Sequence, residues 1–498
     1  MNIRRPRRIR HGVIATLLLL QVTSLTAPAA AAAPSRREAI PAPSSTKWSR
    51  QDLKTKVDAL VQPVMDSGYA VGYAIGLIQG KETLILGYGR TAKDSGRTPD
   101  GRTLFQVGSI TKTFVGVQLA DLARRNIVRV DDPIGMYLPE FVSVPEWGER
   151  KITLLDLATH RSGLPGLPAD FLSSPSTTTL GGEYTMTQLL KWLSSYRLTR
   201  APGERFEYSN VGIAILGHIV GNIQGKTWEQ SCLDTICTPL GMKDTRTVLT
   251  PEQQSRLARG HRADLDPVPL EEIGVMGPGG SLISSVEDLS IYVRAHLALI
   301  DTPLRTAMDI AMAGHASAEP IGEMGLCWIR LIRPDTNVVF YVGDTFGYLA
   351  AVIFDLQKKT GVIVLGNQDS TVNQDLAFQL WALMDGRQVE PLKLRKAADV
   401  AADSLIPYTG TYLVERSDDQ RKESTDKTAT VALYGEGLKV LLPGQFRARL
   451  FRESEDRFFL KGVSDAVATV AFIRDDKGRV GAMSIFYNGQ TRVLKKLR

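Results

Sequence analysis

"FQVGSITKTF", residues 105–114, sets one serine and one lysine three residues apart in an otherwise uncharged, apolar stretch. Positions three apart share a face of a helix, so Ser109 and Lys112 would point their polar ends the same way. The continuation "SITKTFVGVQLADLARRN" carries apolar Val115, Val117, Leu119 and Leu122 and runs into a basic end, as a buried helix should. Gly108 reads as the turn into it. A serine at a helix N-terminus lies among unpaired backbone N–H groups, where a developing oxyanion is best stabilised. A lysine in apolar surroundings loses solvation of its charged form, so its pKa falls and it can take the serine's proton. The pair points to nucleophilic acyl transfer.

Spacing alone does not decide this, because it recurs at Ser44 with Lys47 and at Ser424 with Lys427. Context separates the three. "PAPSSTKWS" is a Pro/Ser linker and "RKESTDKTA" a solvated charge run, whereas only the Ser109 pair opens an apolar helix.

A chain of 498 residues with 43% hydrophobic residues has material for more than one core, and two domains are expected. Residues 1–33 read as a secretory signal: "RRPRRIRH" is the positive region, "VIATLLLLQV" the apolar one, and "APAAAAAP" offers small-residue cleavage sites near Ala33. The apolar run is too short to span a bilayer, so an exported product, periplasmic or secreted, without a stable span is expected. Those 33 residues hold five arginines and no acid, and without them the chain has 55 basic against 53 acidic side chains. That near balance gives no electrostatic support for a nucleic-acid partner. Cys232, Cys237 and Cys327 are too few for a disulfide-built fold, and five residues apart on a helix is off-face for pairing, so buried thiols are expected.

After a linker at 34–48, "VGYAIGLIQGKETLILGYG" reads as two strands joined at Gly80–Lys81. From about 104 to 330 the pattern is mainly helical, with long Gly/Pro-rich loops; strands return at "TNVVFYVG", "GYLAAVIFDL" and "GVIVLGN", and "NQDLAFQLWALMDG" closes with a helix. Strands at both ends of a helical middle predict an α+β domain over 49–388, an antiparallel sheet flanked by helices with an inserted all-helical region. A polar linker at 389–404 leads to short alternating strands over 405–498, with turns every ten or so residues, the pattern of a small all-β barrel or sandwich.

An attacking serine needs a group that returns a proton to the leaving group. "PGERFEYSNVGIAILGHIV" places Tyr208, Ser209 and Asn210 before an apolar helix. Capping accounts for Ser209 or Asn210 but not for Tyr208.

"SITK", "YSN" 99 residues later, "ITLLDLATHRSGLPGLP" between them and "TPLGMKDT" after them together resemble the serine β-lactamase and penicillin-binding protein superfamily, in its class C-like branch. That branch contains β-lactamases, D-Ala-D-Ala carboxypeptidases/endopeptidases, D-aminopeptidases and esterases. The resemblance covers roughly residues 50–385, and "LIPYTGTY" with the β pattern after it resembles the lipocalin-like C-terminal domain of some members. It implies Ser109 as the acylated nucleophile, Lys112 as its activating partner, Tyr208 as proton shuttle and Asn210 as donor to the substrate's acyl amide. Whether Lys112 or Tyr208 is the base stays open. The implied substrates are peptides, esters or β-lactam-like molecules, peptidoglycan among them, with no cofactor.

The family's third motif, Lys-Thr-Gly or His-x-Gly, has two candidates. A literal copy, Lys359-Thr360-Gly361, sits in a polar turn between apolar strands and reads as a decoy. The fitting register is "FYVGDTFGYLAAV", with Tyr341 where a cation is usual, Val342 where Thr is frequent, Gly343 matching, Asp344 in place of a small residue, and Thr345 beyond. A cation there helps hold a substrate carboxylate, and a lost charge-assisted hydrogen bond costs roughly 1.5–3 kcal/mol. Tyr341, with Asp344 adding negative charge, is therefore expected to disfavour anionic ligands. The oxyanion hole needs only the backbone N–H groups of Ser109 and Asp344. His160 in "ATHRSG" reads as structural, and Gly279 and Gly280 as a border of the site. No Gly-x-Ser-x-Gly or His-Glu-x-x-His occurs, which leaves no sequence support for an α/β-hydrolase or a zinc site. A non-catalytic member that binds peptidoglycan fragments or a partner is the alternative from another class.

Overall fold

The computed structural model describes residues 48–171, 184–333, 336–414, 428–435, 437–441, 447–461, 468–487 and 490–497. The expected signal and the Ser-x-x-Lys pairs at 44 and 424 lie outside the described residues.

The hairpin expected around Gly80 forms: β1 (Gly72–Gln79) and β2 (Glu82–Gly89) pair antiparallel from Gly72 with Gly89 to Gln79 with Glu82. Gly80 takes φ +57°, the left-handed conformation a tight turn asks of glycine. Later strands complete the sheet: β3 (Ala316–Ser317), β4 (Glu323–Met324), β5 (Ile329–Arg333), β6 (Thr336–Thr345), β7 (Tyr348–Asp355) and β8 (Thr360–Gly366). Their order is β2-β1-β8-β7-β6-β5-β4-β3, antiparallel throughout, so the N-terminal hairpin joins strands nearly three hundred residues later. β7 and β8 are buried along their whole length, because helices cover both faces.

One face packs on α1 (Arg50–Asp66) and a late helix, Thr371–Met384; the other faces the inserted helical region. Its centre is α2 (Thr111–Arg124), with every residue from Thr111 to Leu122 buried. Around α2 lie α3 (Leu154–Ala158), α4 (Asn210–Ile223) and α5 (Val286–His296), and the late helix is α6. Gly116 lets α2 approach the chain at Leu326, whose carbonyl oxygen would stand 2.0 Å from a Cβ there. All three cysteines are free and buried, as expected. The off-face argument is corrected, however: Leu233–Cys237 is a π-helical turn, whose wider period puts Cys232 and Cys237 in hydrogen-bonding contact.

The C-terminal strands close into an eight-stranded barrel: β9 (Gly410–Val414), β10 (Thr428–Tyr434), β11 (Gly437–Leu441), β12 (Arg447–Arg452), β13 (Arg457–Leu460), β14 (Ala468–Arg474), β15 (Val480–Tyr487) and β16 (Gln490–Lys496), each pairing with the next and β16 with β9. Closure leaves no free sheet edge. Its core includes Tyr412, Leu438, Val440, Phe458, Phe472 and Met483. Phe459 turns outward into the cluster under α1, and the Tyr434 hydroxyl donates to Asp266 at 3.1 Å, so the barrel touches the first domain at both of these residues.

Candidate active site

Gly108–Ile110 form one 3₁₀ turn leading into α2, and Gly108 has φ +50°. That turn lies against the end of β6. A Cβ on Gly343 would stand 1.9 Å from the Val107 carbonyl oxygen and 2.8 Å from the Ser109 nitrogen, so only glycine permits the approach. A Cβ on Gly108 would likewise stand 2.8 Å from the Asp344 nitrogen. The backbones of Ser109 and Gly343–Asp344 therefore converge, as a pair of oxyanion donors requires.

Ser109 is 7% exposed. Its Oγ lies 2.9 Å from Lys112 Nζ and 2.7 Å from the Tyr208 hydroxyl, so the three residues named from sequence meet at one oxygen. Lys112 is fully buried, and burial lowers its pKa to about 7, with the neighbouring Cys327 thiol pulling weakly the other way. Near neutrality the amine is therefore free to act as a base. Lys112 also donates to the Gly279 carbonyl at 2.5 Å, so Gly279 does border the site, as an acceptor that fixes the lysine. Burial pushes the Tyr208 phenol above its ordinary pKa, and the phenol stays protonated.

Tyr208 ends an extended segment, and Ser209 caps α4 by accepting from the Gly212 N–H at 3.0 Å. Asn210, the first helical residue, is pinned by its N–H to the Gly166 carbonyl at 3.0 Å; its side chain lies beside Gly279. On β6, Tyr341, Gly343 and Thr345 share the face toward Ser109. Thr345 is buried, with no hydrogen-bond partner for its hydroxyl among the described residues.

Asp344 departs from expectation. Strand alternation turns it away from Ser109, and it interacts with Asp369, near Glu271. Burial and the two neighbouring acids raise its pKa well above the carboxylate range, so it holds a proton and brings no negative charge to the rim. Burial also raises Asp369 to about 6 and Glu271 to about 7. The literal Lys359-Thr360-Gly361 lies at the opposite end of the sheet: Thr360 pairs with Asp355, whereas Gly366 pairs with Leu349 beside the site. Six residues of strand separate the two ends, on the order of 20 Å.

Sequence reasoning set His160 aside as structural. It is buried beside the trio, its ring centroid 4.5 Å from that of Tyr208 and its Nε2 3.4 Å from the Tyr341 hydroxyl. Cys327, which the sequence marked only as a buried thiol, lies beside Lys112. Among the described residues no group of His, Cys, Asp or Glu could hold a metal ion.

With this geometry stand the comparisons. Residues 57–383 match the beta-lactamase family. The chain belongs to that family. Residues 394–496, which contain the barrel, match a domain of unknown function, DUF3471. The Escherichia coli K12 D-alanyl-D-alanine-carboxypeptidase/endopeptidase AmpH is 30% identical over 327 residues, 62% of this chain and 82% of that protein. A Pseudomonas fluorescens beta-lactamase is 27% identical over 353 residues, 64% of this chain and 94% of that protein. Among solved structures, a class C beta-lactamase superposes with a TM-score of 0.60 at 22% identity, covering 69% of this chain and 99% of that one. The Yersinia pestis beta-lactamase/D-alanine carboxypeptidase complexed with citrate gives 0.58 at 24% identity, covering 67% and 98%. At these identities the superpositions speak to fold, which is the β-lactamase fold with a closed barrel added.

Proposed function

We propose that the protein is an exported serine hydrolase that cleaves amide or ester bonds through an acyl-enzyme on Ser109, with D-alanyl peptides of the cell wall as its leading substrate class. One observation carries this reading: Ser109 Oγ is held between the buried Lys112 amine and the Tyr208 hydroxyl at 2.9 and 2.7 Å. Neutral Lys112 takes the hydroxyl proton as Oγ attacks the carbonyl carbon, and the oxyanion develops against the N–H groups of Ser109 and Asp344. The proton returns through Tyr208 to the leaving atom, and water repeats the sequence to release the acyl group. Asn210 serves as donor to the acyl amide. A site relieved of catalysis has no use for a lone buried amine, which weighs against a purely binding role. The carboxypeptidase/endopeptidase relative supports the substrate class.

Tyr341 favours a second reading, an esterase or D-aminopeptidase, because the third motif offers a substrate carboxylate no cation. Intact-mass spectrometry after exposure to a fluorophosphonate, and separately to a penicillin, tests both. Adducts with both, lost in Ser109→Ala, favour the D,D-peptidase or β-lactamase-related reading; an adduct with fluorophosphonate alone favours neutral or amine-bearing substrates. No adduct with either overturns the hydrolase.

A further inference from the structure

His160 and Tyr341 are buried polar groups for which the scheme above has no task. His160 stands at φ +56°, in the left-handed region that residues with a Cβ enter only at a cost, and this turns its ring under Tyr208 and Tyr341. Its Nδ1 lies 3.1 Å from the Ser209 backbone nitrogen. A backbone N–H can only donate, so Nδ1 carries a lone pair and the neutral ring has its hydrogen on Nε2. Burial keeps the ring neutral, lowering its pKa to about 3, with Lys112 acting in the same direction. Nε2–H then faces the Tyr341 oxygen at 3.4 Å. Having accepted there, Tyr341 keeps its own hydrogen for the neighbouring Tyr208 hydroxyl. Tyr208 donates in turn to Ser109 Oγ at 2.7 Å. Ser109 is left with one neighbour able to take its hydrogen, the neutral Lys112 amine at 2.9 Å.

We propose that His160 and Tyr341 are positioning residues that set the direction of this hydrogen-bond chain, so that the serine proton leaves toward Lys112 and Tyr208 remains a donor. The inference rests on the hydrolase reading and deepens it: it assigns the base that the sequence left open, and it gives the tyrosine of the third motif a duty that a lysine could not perform without adding a second cation beside Lys112. The other titratable groups facing Lys112 are Tyr208 and the Cys327 thiol, which burial pushes up to about 12 and keeps neutral; Asp344, near Tyr208 at the end of β6, holds its proton and adds no charge.

The test compares His160→Asn, which keeps an acceptor for the Ser209 N–H but presents no group to Tyr341, with Tyr341→Phe and with the double variant, on a p-nitrophenyl ester. Each single variant is expected to lower kcat roughly tenfold with KM unchanged, the loss of one oriented hydrogen bond. The rising limb of the pH profile should move to higher pH, because the neutral amine loses the serine's hydrogen bond. The double variant should be no slower than either single one, and His160→Gln, which restores an N–H near the Nε2 position, should recover activity. Additive losses, or an unmoved limb, overturn the proposal. A second measurement is independent of turnover: ¹⁵N chemical shifts of the labelled histidines, with His160 assigned from the His160→Asn spectrum. A neutral Nε2–H ring from pH 5 to 8 supports the chain, and an Nδ1–H tautomer or a titration near 6.5 overturns it. A wild-type protein with the expected tautomer but no turnover would sink the hydrolase reading while upholding the chain's direction.

Discussion

β6 carries two buried polar clusters on opposite faces, and they solve the same electrostatic problem in different ways. Toward Ser109, the face with Tyr341 and Gly343 meets the Lys112 side chain, whose charge desolvation removes near neutrality and whose amine is held by Ser109 and Gly279. On the other face, Asp344 meets Asp369 and Glu271, and burial makes these acids hold their protons to higher pH than free carboxyls would, with Asp344 Oδ1 left without a partner among the described residues. The first cluster is directional and poised to react; the second stores protons and makes stability depend on pH. The difference teaches that alternate residues of one strand can serve reactivity and stability separately.

The comparison breaks most simply at the first cluster. Ser109→Ala should lower hydrolysis by on the order of 10⁴-fold or more while the melting temperature stays near wild type, measured by ester turnover and calorimetry. A folded variant that keeps its activity would remove the nucleophile from the scheme. Lys112→Met should cost about 10³-fold, the worth of a positioned general base, and should raise the melting temperature by deleting an isolated buried amine. In the wild type, activity should rise with pH through about 7, where Lys112 loses its proton, and a pH-rate profile that is flat there would contradict Lys112 as base. Gly343→Ala is next, at roughly 10²-fold: its methyl group meets the Val107 carbonyl and displaces the backbone that faces Ser109.

Much of this was legible in the chain. Ser109, Lys112 and Tyr208 stood out because each sits in a context that core packing does not explain, and the register of Gly343 followed from the resemblance of "FYVGDTFGYLAAV" to the family's third motif. The hairpin at Gly80 and the closing helix were equally plain, since periodicity and turn glycines specify them locally. What local pattern could not give was where side chains meet across the fold. His160 looked structural because its hydrogen-bonding neighbour Tyr341 lies 181 residues away in sequence. Asp344 looked like a charge at the rim because its partner, Asp369, follows the next strand but one. The π-helical turn at Leu233–Cys237 escaped notice because a helix of ordinary period was assumed there.

The second cluster gives the smallest effect and the clearest sign. Asp369 and Glu271 have folded-state pKa values raised to about 6 and about 7, and Asp344 is raised further. The folded chain therefore keeps protons that the unfolded chain releases from about pH 4 upward, so the stabilising contribution is full below that pH and is lost as pH rises through about 7. The acids' share of the stability should fall between pH 5 and 8, whereas buried His160 and His296, with pKa values lowered to about 3, contribute the opposite slope below about pH 6.5. Asp369→Asn keeps a hydrogen-bond acceptor for the proton on Asp344 and removes one acid, so it should flatten the acids' slope and be more stable at pH 8 by about 2 kcal/mol. Asp369 lies off β6, so kcat should change far less than in Gly343→Ala. Parallel pH dependences for variant and wild type would mean that the acids are ionised in the folded chain, and the contrast between the two faces would fail.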